Sequence, residues 1–144
     1  MTDLDLMRLA EQAREKAYAP YSGFRVGAAL LSKTGRVYLG CNIENVAYTP
    51  TNCAERTAFF KAVSEGERDF EAIAIVGGQG DSISRLCAPC GVCRQVMVEF
   101  CSPDFRVLLG NCEQLQATTL GELLPLSFSP KNLREREADN DENV

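Results

Sequence analysis

Two short strings in this sequence could do chemistry together: Cys53-Ala54-Glu55 and Pro89-Cys90-Gly91-Val92-Cys93. They offer three thiolates to one metal ion and a carboxylate beside the first of them. Three protein ligands leave a tetrahedral zinc one open position for water, which separates a catalytic zinc from a structural one closed by four protein ligands. The chain contains no histidine. General acid/base work near neutral pH must therefore fall to another group, and Glu55 beside the metal is the candidate.

Such a site needs elements to hold it. Thr2-Asp3-Leu4-Asp5 reads as a helix start with an acidic residue at its third position, and apolar residues at helical spacing carry that helix to near Ala17. A hairpin is expected from strands over 24–32 and 36–42 around the turn Lys33-Thr34-Gly35. Residues 43–52 are polar and irregular. A helix over 53–63, a buried strand over 70–76 ended by Gly77-Gly78, a loop over 79–89, a helix over 91–100 and a strand over 105–109 follow. A last strand over 115–119 and a short helix over 120–124 complete the order. Strands alternating with helices imply an α/β sandwich, with a largely parallel sheet beyond the hairpin.

Both cysteine strings open helices in this reading. A helix start carries a partial positive charge and unpaired N–H groups, which stabilise thiolate. Pro89 suits the start of its helix because its missing N–H is no loss there. Three thiolates against one divalent zinc leave an excess of negative charge that a nearby cation would offset. Arg56 and Arg94 each directly follow part of the constellation. Arg56 is preferred, since it shares a helix turn with Cys53. Cys87 forms a second C-x-x-C with Cys90, so the ligand pair is formally ambiguous, and a closed site with Cys41 or Cys87 as fourth ligand is the alternative. Pro89 and Gly91 favour Cys90 with Cys93. Cys101 and Cys112, like Cys41 and Cys87, are assigned to packing.

The chain has 144 residues, 45% hydrophobic and 24% charged, which fits one globular domain. Its net charge of −5 disfavours a long nucleic-acid partner. No stretch resembles a signal peptide or a bilayer-spanning run. Seven cysteines without an export signal suggest reduced thiols and a cytoplasmic setting. The domain is placed at 1–130, and the polar segment 131–144 is read as a solvated, mobile tail.

Cys-Ala-Glu-Arg-Thr-Ala at 53–58 and Pro-Cys-Gly-Val-Cys-Arg-Gln at 89–95 resemble the zinc strings of the cytidine deaminase superfamily. Tyr21 to Leu30, Cys41-Asn42-Ile43-Glu44-Asn45, Leu123-Leu124-Pro125 and Phe128-Ser129-Pro130 narrow this to the small, free-nucleoside, homotetrameric type. The resemblance implies a three-layer sandwich with a mixed sheet of about five strands flanked by helices. It implies one zinc per chain on Cys53, Cys90 and Cys93, and hydrolysis of cytidine and 2′-deoxycytidine to the uridines with release of ammonia, in pyrimidine salvage. Glu55 would take a proton from water, protonate pyrimidine N3 and then serve the leaving amine, while Arg56 offsets thiolate charge. Phe24 would pack on the pyrimidine, Asn42 and Glu44 would bind the sugar hydroxyls, and Ala54 would join the substrate-binding set. Tyr48 and Phe128 would complete a neighbouring subunit's pocket.

The residues agree with the sugar assignment. Asn42 and Glu44 flank Ile43 at a strand end and so face one side, and a carboxylate there can accept from two hydroxyls but would repel a phosphate. A blasticidin-S type deaminase shares the zinc strings but is disfavoured by the Phe24 and Asn42–Glu44 strings. A zinc-stabilised interaction module without catalysis is the rival from another class.

Overall fold

A computed structural model describes residues 1–84 and 86–134. The elements are α1 (Asp3–Arg14), β1 (Phe24–Ser32), β2 (Val37–Cys41), α2 (Ala54–Ser64), β3 (Phe70–Gln79), α3 (Gly91–Phe100), β4 (Arg106–Gly110), β5 (Leu115–Thr119), α4 (Leu120–Leu123) and α5 (Pro130–Leu133). They build one five-stranded sheet in the order β2-β1-β3-β4-β5.

Alternation along the strands sorts side chains into two layers. Ala29, Ala72, Ala74 and Val76 face α1 and pack with its Leu6, Met7 and Ala10. Ala28, Leu30, Ile73, Ile75, Val107 and Leu109 face the other way, toward Ala54, Ala58 and Phe59 of α2 and Met97 of α3. The result is the three-layer sandwich expected. Phe59 anchors the second layer, with its ring 5.1 Å from Phe70 and 6.3 Å from Phe100. Burying such a side chain contributes roughly 1.5–3 kcal/mol.

The sheet is mixed, and it is not largely parallel beyond the hairpin. Among its strand pairs only β3 with β4 is parallel; β1 with β3 and β4 with β5 are antiparallel. Strand β1 pairs on both edges, with β2 and with β3. The alternation of strand and helix predicts crossovers, and two units make them: β3-α3-β4 joins neighbouring strands, while β2-α2-β3 passes over β1, which lies antiparallel between them.

Two boundaries move for physical reasons. Helix α1 starts as expected, with a reciprocal Thr2–Asp5 capping box, but stops at Arg14 rather than near Ala17. The chain leaves because Tyr18 pairs its backbone with Asn42 and Glu44. Strand β3 runs through Gly77 and Gly78, which pair with Val26 and Arg25; sheet pairing overrides the glycine stop signal. Pro89 stands outside α3, whose N-cap is Cys90. Helix α5 covers Pro130–Leu133, and residues 135–144 of the segment read as a tail lie outside the described residues.

The start of α2 is pressed against β2. A Cβ on Gly40 would lie 2.4 Å from the Ala54 carbonyl oxygen and 2.6 Å from the Ala58 nitrogen. Only glycine permits that approach, and the small Ala54-Ala58-Ala62 row on α2 allows the rest.

Candidate active site

Cys53 is the N-cap of α2 and Cys90 the N-cap of α3, both in extended backbone conformation. Cys93 sits in the first turn of α3 and is buried. The two helix starts lie side by side, so the Sγ atoms of Cys53 and Cys90 are 3.7 Å apart and those of Cys90 and Cys93 3.5 Å apart. Tetrahedral zinc with Zn–S bonds of about 2.3 Å needs sulfur edges of about 3.8 Å. The triad fits that ion. All three sulfurs lie within 4.8 Å of one another, and no fourth metal-ligating side chain joins them among the described residues. Cys41 donates its thiol to the Lys16 carbonyl at 3.4 Å instead. Burial pushes the Cys87 thiol up to about 11, as for a packed neutral group. The closed four-cysteine alternative therefore has no fourth ligand.

Arg56 and Arg94 separate cleanly. Arg56 donates from Nη2 to Cys53 Sγ at 3.2 Å. Arg94 spends its donors on the carbonyls of Pro89 (2.7 Å) and Leu123 (2.6 Å), bracing the loop before α3. A hydrogen bond from Cys93, joined by Arg56, overcomes burial and pulls the Cys53 thiol down to about 5. Burial opposes the Arg56 charge, yet its bonds to Cys53 and Cys93 outweigh that and hold its pKa above the usual guanidinium value. The Arg56 Nε is buried without a partner.

Glu55 follows in the first turn of α2 and is only 4% exposed. Burial pushes its carboxyl up to about 7, and the nearby Cys53 charge adds to the rise. A carboxyl so placed can hold a proton near neutrality and release it. Ala54, fully buried, is the first residue of α2. Its N–H is among those that a helix start leaves unpaired.

Asn42 and Glu44 are tied to this centre through Ile43, whose backbone exchanges two hydrogen bonds with Asn52, the residue before Cys53. The Asn42 amide is buried and oriented by β1: Oδ1 accepts from Val26 N at 2.9 Å and Nδ2 donates to Phe24 O at 2.8 Å. Phe24, half-buried at the start of β1, packs on the edge of the core. Glu44 Oε1 accepts from Tyr21 N at 2.9 Å and Ser22 N at 3.1 Å, and Oε2 accepts from the Ser22 hydroxyl. These Ser22 bonds hold its carboxyl below the usual range. Of about four lone-pair positions on a carboxylate, three are spent inside the chain. That leaves one acceptor position free of the chain's own donors.

Glu44 and Tyr48 share a cavity of about 350 Å³ with Tyr21, Ser22, Asn45 and Thr51. Tyr48 is 79% exposed there. Phe128 stands elsewhere, 61% exposed, with its carbonyl held by Gln95 at 2.8 Å. Sequence reasoning gave no role to Ser22, which orients Glu44, or to the Asn52–Thr57 pair (3.0 Å) that fixes the turn at Cys53. Ser22 carried a faint signal, a serine two residues before a strand, where its hydroxyl accepts from Phe24 N at 2.9 Å. Asn52 and Thr57 carried none.

"Cytidine deaminase" of Sporosarcina psychrophila is 53% identical over 129 residues, covering 89% of this chain and 92% of that protein. "Cytidine deaminase" of Halalkalibacterium halodurans is also 53% identical, over 131 residues, covering 90% of this chain and 96% of that protein. A crystal structure of cytidine deaminase from Burkholderia pseudomallei superposes with a TM-score of 0.82 at 50% identity, covering 89% of this chain and all of that one. The model of the cytidine and deoxycytidylate deaminase zinc-binding region matches residues 1–109, a span that contains every residue of the cysteine cluster together with Glu55 and Arg56. This chain belongs to that zinc-binding deaminase family.

Proposed function

We propose that this protein hydrolyses cytidine and 2′-deoxycytidine to uridine and 2′-deoxyuridine with release of ammonia, as an enzyme of pyrimidine salvage. The observation that carries the reading is three cysteine sulfurs at zinc spacing with the buried carboxyl of Glu55 following the first of them. Cys53, Cys90 and Cys93 would hold a zinc ion, which when bound would supply the Lewis acidity that makes water nucleophilic near neutral pH.

The chain's own residues do the rest. Glu55 takes one proton of the attacking water and gives it to pyrimidine N3 as C4 becomes tetrahedral; it then takes the second proton, from the hydroxyl now on C4, and passes it to the leaving amine as the C4–N bond breaks and the C4 carbonyl forms. Water and cytidine thereby become uridine and ammonia with every proton accounted for. Burial keeps that traffic from bulk solvent. The Ala54 N–H at the start of α2 donates to the pyrimidine carbonyl oxygen, and Phe24 packs on the ring. Asn42, with one amide hydrogen free, and Glu44 take the sugar hydroxyls. The ionised Glu44 repels a phosphate and so favours a nucleoside over a nucleotide. Turnover of a panel containing cytidine, 2′-deoxycytidine, cytidine 5′-monophosphate and blasticidin S tests this. The nucleosides should be consumed; consumption of blasticidin S alone would overturn the substrate assignment.

Arg56 offsets the charge of the three thiolates. Arg56→Ala is expected to stay folded but to lose zinc faster to a chelator and to turn over about 10–100-fold more slowly. Parent-like zinc retention and kinetics would remove that role. Asn42→Ala and Glu44→Ala are expected to raise KM for cytidine about tenfold or more, as the loss of buried or charged hydrogen bonds to a substrate does. Two variants with the parent's KM would sink the sugar assignment.

The protein works as a cytoplasmic homotetramer in this reading. Exposure of Tyr48 and Phe128 on one chain supports their service to neighbouring pockets. Among the described residues no helix is long and apolar enough to cross a membrane.

A further inference from the structure

Arg14 is 6% exposed at the end of α1, yet its hydrogen bonds go to backbone carbonyls rather than to a carboxylate. Its Nε donates to Arg25 O at 3.0 Å, and Nη2 donates to Gly78 O (2.9 Å), Gly80 O (2.6 Å) and Ser82 O (2.6 Å). Helix α1 reaches this depth because a Cβ on Gly27 would lie 2.3 Å from the Arg14 nitrogen; β1 is bare where the helix crosses it. Carbonyls of the loop after β3 converge on one guanidinium. Without it the Gly78 carbonyl would lose a buried partner, and those of Gly80 and Ser82 a part-buried one.

That loop touches the sugar side of the site. Gln79 Nε2 donates to Ser22 O at 2.7 Å, and Gly80 N donates to Gly23 O at 2.9 Å. Ser22 in turn gives its N–H and its hydroxyl to Glu44. Phe24 follows directly, and Arg25, which Arg14 also holds, is next on the strand. Arg14 thus holds the residues on either side of Gln79, Gly78 and Gly80, and hydrogen bonds from Gln79 and Gly80 reach Ser22 and Gly23, of which Ser22 holds Glu44.

We infer that Arg14 is a positioning residue for nucleoside binding: by gathering the carbonyls of Gly78, Gly80 and Ser82 it fixes the loop that sets Ser22, and through Ser22 the Glu44 carboxylate. This rests on the nucleoside reading above. A planar fork can serve several carbonyls at fixed angles; lysine, a single ammonium point, cannot. The metal ligands and Glu55 hang from other elements, so the effect falls on binding and not on the chemical step.

The test is the steady-state kinetics of cytidine with Arg14→Lys, Arg14→Gln and Gln79→Ala, with zinc counted per chain. Gln79→Ala cuts the link to Ser22 from an exposed position, so it decides the matter if the Arg14 variants do not fold. The expected result is KM raised about tenfold with kcat within about twofold and zinc unchanged, the pattern of lost binding common to ground and transition states. A lower melting temperature with the parent's KM makes Arg14 a structural residue only and overturns the inference. Loss of kcat or zinc with KM unchanged also overturns it. A parent protein that leaves cytidine untouched overturns the nucleoside reading itself; an active parent with variants of unchanged KM overturns this inference alone.

Discussion

Glu55→Gln is expected to lower turnover of cytidine by about 10²–10⁴-fold, the usual worth of one positioned acid/base group, while each chain still holds its zinc. Glutamine matches the shape of glutamate and fills the same buried space at the start of α2. It cannot take a proton from water or carry one to the pyrimidine. The sulfurs of Cys53, Cys90 and Cys93 are untouched, so metal content should not change. Folding should not suffer either, because burial already disfavours the charged form of this side chain. A merely structural zinc module would show no turnover to lose. Near-parent turnover by the variant would remove Glu55 as the proton carrier.

Cys93→Ala is expected to cost zinc and activity together. Losing one of three sulfurs leaves Cys53 and Cys90 as the remaining pair, and metal affinity should fall by more than about a hundredfold, beyond what loss of an outer-shell partner costs. Because ligand binding is also folding free energy, the melting temperature should fall with zinc content. Cys101→Ala is the matched control. Cys101 closes the far end of α3, and burial pushes its thiol up to about 12, away from any thiolate role. That variant should keep its zinc and its turnover. Full zinc in Cys93→Ala, measured by metal analysis, would mean that the ligand set is wrong.

Local signals were legible in the sequence, and long-range ones were not. The hairpin could be read because Gly35 marks a turn between two β-rich runs, and it takes φ 92° there. The starts of α2 and α3 could be read because thiolates that share a metal gain from helix N-termini. The choice of Arg56 over Arg94 followed from helical geometry, since Arg56 stands three residues from Cys53. The place of β1 between β2 and β3 could not be read, for nothing local says which distant strand pairs with an edge. The glycines at 77 and 78 misled for the same reason: their strand is held by β1, far away in sequence. The hold of Ser22 on Glu44 and of Arg14 on the carbonyls of Gly78, Gly80 and Ser82 could not be read, because each acts across a gap of tens of residues.

Cytidine hydrolysis by the purified protein, followed by ammonia release and the ultraviolet change with zinc counted per chain, bears most directly on the central claim. The account predicts uridine and ammonia in equal amounts, about one zinc per chain, and loss of turnover when a chelator removes the metal. Zinc-loaded protein that leaves both cytidine and 2′-deoxycytidine unchanged would contradict it.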